Sequence, residues 1–208
     1  MYGPEAVPLR DRTSTQRAGW LRGGVSGNAR LTGSVAAALL ILLAAEGLTI
    51  PLIGRLLGPH IFIGLLLVPP VALKLGSTGY RFVRYYSGDQ PYVGKGPPAL
   101  PLRLLAPGVV LTTLALFGTG VALALASPPS STLVFAHKLS FIAWIAFMTI
   151  HVLGHLLEVP PVIGVDWLPR RGGVEAAGRG QRTTLLVISI LAGIGLGLIG
   201  LSVAASWL

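Results

Sequence analysis

The sequence predicts an all-α integral membrane protein, a bundle of five transmembrane helices. Three observations carry this. Of 208 residues, 52% are hydrophobic and only 11% charged, against about 25% charged in a soluble domain. The mean hydropathy is +0.74. Apolar runs near 20 residues long, enough to cross a bilayer, alternate with connections rich in Pro, Gly and Arg.

Residues 1–30 are polar, carry five Arg and show no apolar periodicity, so they read as a basic cytoplasmic tail; residues 31–208 form one five-helix domain. The first span runs from Leu31 to about Ile50, too long for the core of a signal peptide. Glu46 sits near its far end, placed to hydrogen-bond at the interface or to serve a proton path. After Pro51 a second span covers about His60 to Gly79 and ends in GYRFVRYY. Pro69 and Pro70 lie inside it and predict a kink. A polar loop over Ser87–Pro101 precedes the third span, about Leu102 to Ala126, which has no ionisable residue after Arg103. SPPSST turns the chain into the fourth span, Phe135–Glu158. The connection Val159–Arg182 carries Arg170, Arg171, Arg179 and Arg182, and an uncharged fifth span runs from about Thr184 to Leu208.

The basic connections alternate. The tail, the second-to-third connection (Lys95, flanked by Arg81, Arg84 and Arg103) and the fourth-to-fifth connection are basic, whereas the opposite side has Arg55 and Lys138. The positive-inside rule then puts the N-terminus in the cytoplasm and the C-terminus outside. Tyr80, Tyr85, Tyr86 and Trp167 fall at the inner interface and Trp207 at the outer one. The net charge of +9 is accounted for by orientation signals and anionic membrane lipid, which argues against nucleic acid as a partner. Thirteen Arg against three Lys suits a GC-rich bacterial source, which concerns codons only; the expected location is the plasma membrane of a bacterium, as a multi-pass protein.

All four histidines fall in or beside spans: His60 opens the second, and His137, His151 and His155 lie on the fourth. Ionisable groups inside a bilayer are costly unless they face the bundle interior, so each is a candidate site residue. Spans two and four run parallel, outside to inside, which brings His60 and His137 to one depth. Fourteen residues further along each span, or roughly 21 Å of helix, stand Lys74 and His151. The result is a ladder with two rungs.

Facing imidazoles on one rung, and Lys74 opposite His151 on the other, fit the axial ligands of b-type haem, two groups or one, set between the parallel helices two and four; bis-His ligation leaves no open position and favours electron transfer. The chain has no cysteine, which excludes disulfides, thiolate-held clusters and covalent haem attachment. Lys74 either ligates the inner iron as a neutral amine or snorkels toward the cytoplasm. His155, one turn below His151, competes for the inner site or bonds a propionate. Arg81 and Arg84 at the inner end, and Arg55 with Lys138 at the outer end, are placed to pair propionates. Gly54, Gly58, Gly64, Gly118, Gly120 and Gly154 either make room for a macrocycle or serve ordinary helix packing, as expected for Gly193 and Gly197. Three other readings exist: a metal such as zinc on His151 and His155, a proton- or ion-conducting or transporter bundle using the histidines and Glu46, and histidines buried for structure alone.

The His60-x-x-x-Gly64 spacing, RFVRYYSG after the second span and HKLSFIAWIAFMTIHVLGH in the fourth resemble the prokaryotic membrane cytochrome b superfamily. That superfamily includes the cytochrome b subunits of nickel–iron hydrogenase and formate dehydrogenase and ferric-reductase-like proteins. The resemblance covers about residues 45–158. It implies one or two b-type haems, with His60 and His137 on the outer one and His151 on the inner. It also implies electron transfer between a catalytic redox subunit and quinone or another acceptor, the chain itself being non-catalytic. Lys74 stands where the family pattern expects a second inner histidine.

Overall fold

The computed structural model describes residues 24–97, 99–126, 128, 130–155 and 178–207. The tail before Gly24, Glu158, Trp167, Arg170 and Arg171 lie outside them. Among the described residues six α-helices follow in order: α1 Gly24–Thr49, α2 Ile53–Tyr86, α3 Gln90–Lys95, α4 Leu100–Leu125, α5 Ser131–His155 and α6 Arg179–Val203. There is no strand among the described residues.

Among the described residues four helical stretches are long and apolar enough to cross a membrane: Gly24–Tyr86, Leu100–Leu125, Ser131–His155 and Arg179–Val203. The first has 63 residues, about 95 Å if straight, some three times the roughly 30 Å hydrocarbon core. A 3₁₀ turn at Ile50–Leu52 folds it into the α1–α2 hairpin. Pro51 sits in that turn, where a residue without an N–H ends one helix and starts the next. Contacts between Asn28 and Ser77, Thr32 and Lys74, and Thr49 and His60 establish the antiparallel register.

α2 lies between α1 and α6. Leu31, Val35 and Leu39 of α1 and Leu67 of α2 form the buried core, with Phe117 of α4 and Leu185 and Leu186 of α6 packed around it. On α6, Gly193, Gly197 and Gly200 face Leu66, Phe62 and Leu65 of α2 so closely that a Cβ would strike the backbone or side chain opposite. This is the small-residue packing that lets membrane helices approach. α4 and α5 make a second antiparallel pair. Gly108 receives the Phe147 ring, Gly154 receives Leu102, and Trp144 Nε1 donates 3.1 Å to Thr113 Oγ1. Outward side chains such as Ile41, Leu104, Leu111, Ile142, Ile150 and Leu198 are exposed, as expected of a surface that meets lipid tails.

The structure moves several boundaries. α1 starts at Gly24, so Gly24–Arg30 belongs to the helix and not to the tail; Asn28 is 1% exposed and its amide donates to the Ser77 carbonyl. The polar sequence there is an interhelical hydrogen-bond stripe. α6 likewise starts at Arg179, with Arg182 buried. The expected kink is displaced: the non-helical backbone inside α2 is at Leu56, while Pro69 and Pro70 sit within helix. The Ser87–Pro101 connection contains α3, fastened where Tyr92 packs its ring 6.1 Å from that of Tyr80 and Arg84 pairs with Asp89.

Candidate functional site

Side chains bridge α2 and α5. Toward the N-terminal ends of the two helices these are His60 and His137, with ring centres 6.3 Å apart and planes crossing at 76°. They occupy the same end of their helices, so α2 and α5 run parallel, as the two-rung ladder requires.

Each ring is held through Nδ1. His60 Nδ1 lies 2.9 Å from Thr49 Oγ1 and 2.9 Å from Glu46 Oε1. The Thr49 hydroxyl already donates its hydrogen to the Glu46 carbonyl, at 2.6 Å, and a carboxylate only accepts. Nδ1 of His60 is therefore the donor to both. His137 repeats the pattern: its Nδ1 is 3.0 Å from Thr119 Oγ1, whose hydrogen goes to the Ala115 carbonyl at 2.7 Å or to that of Leu116 at 3.0 Å. With tautomers assigned from this network, both histidines carry the proton on Nδ1 and the lone pair on Nε2. That is the form in which a metal-binding histidine is oriented from behind.

These residues fit a bis-imidazole cofactor. With ring centres 6.3 Å apart, His60 and His137 would be the residues that hold it, through the Nε2 atoms that their Nδ1 contacts leave free. Gly120 lies where a Cβ would come 3.2 Å from His137 Cε1, so a larger residue would press on that ring. Gly64, expected to admit a macrocycle, instead faces Glu46: a Cβ there would stand 3.3 Å from Oε1. Gly154 serves α4–α5 packing, and Gly54 and Gly118 have no neighbour within 4 Å of a built Cβ.

Further along the two helices the arrangement differs. The ring of His151 packs 4.9 Å from that of His155, and His151 Nδ1 is buried without a hydrogen-bond partner among the described residues. Lys74 lies close enough to His151 for their charges to interact, yet its amine donates 2.9 Å to the Thr32 carbonyl of α1. The side chain is half-buried, and this bond ties it to α1. Arg84 is occupied by Asp89 and stacks 5.9 Å over Tyr80. Arg81 is half-buried, and Arg55 and Lys138 are exposed. Among the described residues no three His, Cys, Asp or Glu gather as a metal site.

Sequence reasoning missed Thr49 and Thr119 as anchors and Glu46 as a partner of His60. The Glu46-x-x-Thr49 spacing was a usable signal, because i, i+3 residues share a helix face. Thr119 gave none, since a threonine in a membrane helix ordinarily bonds its own preceding carbonyl. Comparison with family models, curated proteins and solved structures gave no match.

Proposed function

We propose that this protein is a membrane b-type cytochrome, with haem held at the outer level by His60 of α2 and His137 of α5. The observation that supports the reading is the pair itself: two imidazoles on parallel helices, each fixed by its Nδ1 proton, with ring centres 6.3 Å apart. A haem bound there supplies a one-electron carrier, and two axial histidines favour electron transfer over oxygen chemistry. The chain's own residues do the rest. Thr49 and Thr119 keep both rings in the ligating tautomer, and the outward apolar faces hold the bundle in lipid. Electrons would pass between a catalytic redox subunit and quinone or another membrane acceptor, in a bacterial plasma membrane with the N-terminus inside. A proton- or ion-conducting bundle is the competing reading, favoured by the buried, unpartnered Glu46 Oε2.

A reduced-minus-oxidised visible spectrum of the detergent-purified chain separates the two. We expect a b-type alpha band, and its loss on His60→Ala or His137→Ala while the protein still inserts. Absence of the band in the unaltered protein would sink the haem reading, and undiminished haem in both variants would sink this ligand pair.

A further inference from the structure

We propose that Glu46 is a positioning residue for the cofactor, a half-buried carboxylate that makes His60 the more strongly donating of the two ligands and so lowers the reduction potential. The inference rests on the haem reading above.

The two ligands are not equivalent. His137 leans on a neutral hydroxyl, Thr119, whereas His60 shares its Nδ1 proton between Thr49 and the Glu46 carboxylate. Glu46 comes from the last turn of α1, a helix that contributes no ligand, and its side chain is 13% exposed. Oε1 accepts from His60, and Oε2 is buried with no hydrogen-bond partner among the described residues. The carboxylate is thus not spread over a polar network, and its charge is directed at one imidazole. A carboxylate accepting from the remote nitrogen of a ligating histidine raises the basicity of the coordinating nitrogen. A negative charge in the weakly screened interior of a bundle also acts more strongly than one in water. Both effects stabilise the oxidised, more positive metal. Gly64, one turn beyond His60, leaves room for this contact, because a Cβ there would reach within 3.3 Å of Oε1.

The test uses the full chain in detergent, with Glu46→Gln to remove the charge at constant shape and Gly64→Ala to push the carboxylate while keeping it. Anaerobic redox titration gives the midpoint potential, and electron paramagnetic resonance of the oxidised form reports the ligand field. Glu46→Gln should shift the reduction equilibrium about tenfold toward the reduced form, about 59 mV for one electron, and alter the low-spin signal. Gly64→Ala should shift both in the same direction by less. Unchanged potential and signal in whichever variant retains haem would overturn the proposal, and so would loss of haem from both, which would mark Glu46 as a structural strut. An unaltered protein without haem is a separate result, which fails the haem reading itself.

Discussion

Lys74→Met tests whether the lysine is a strut or a ligand, and its expected effect follows from the geometry. Lys74 Nζ gives one hydrogen bond, 2.9 Å, to the Thr32 carbonyl. Interhelical bonds within membranes are worth about 0.6 kcal/mol on average and at most about 1.7. The Thr32 carbonyl also lies inside α1, so it keeps its helical partner when the amine is removed. On the other side of the balance, insertion scales put an ammonium at the centre of a span at about 2.5–3.5 kcal/mol; Lys74 is half-buried and toward one end, so a fraction of that is relieved. Methionine has a similar length and fills the same space. We expect the variant to unfold in a denaturing-detergent titration at equal or slightly higher stability, within about 1 kcal/mol, with an unchanged haem-to-protein ratio. Loss of a haem would refute the reasoning and restore Lys74 as the inner ligand with His151. Destabilisation beyond about 3 kcal/mol would show that the bond to α1 outweighs the cost of the charge.

Two other outcomes are expected. Thr113→Val leaves the Trp144 indole N–H, 7% exposed as a residue, without its acceptor; it should cost about 1 kcal/mol in the same titration, and a neutral result would mean that the indole finds another partner. A reporter inserted at Gly94 should be active only in the cytoplasm and one at Pro128 only outside, as the positive-inside rule orders them; the reverse result would exchange inner and outer throughout.

Much of the architecture is legible because apolar runs of fixed length have few solutions in a membrane. The spans, their alternation and the facing of His60 and His137 follow from counting along parallel helices. The ends were harder. Asn28 and Arg182 look like solvent residues in sequence; the packing of α1 on α2 turns Asn28 inward, and Arg182 is buried in a stretch of α6 whose neighbouring residues stay exposed. Pro69 and Pro70 mislead for a related reason: a membrane helix tolerates proline when its neighbours hold it, and the break fell instead at Leu56, just after the turn from α1. At the site, the ligand candidates were legible as rare ionisable residues, but their anchors were not. The role of Glu46 depends on the α1–α2 hairpin register, a property of two segments together. The direction of the Lys74 amine likewise depends on which neighbour offers a carbonyl first.

The placement of α6 bears on how the chain is put together during synthesis. α1 and α2 leave the ribosome as a pair, and α4 and α5 form a second pair whose internal contacts ask nothing of the first. The face of α2 that receives Gly193, Gly197 and Gly200 then waits until the last helix arrives. α4 and α5 are thus an inserted hairpin within a three-helix unit that is completed last. The seam between hairpin and unit has fewer close approaches than the packing within each half, so it can part without unwinding either.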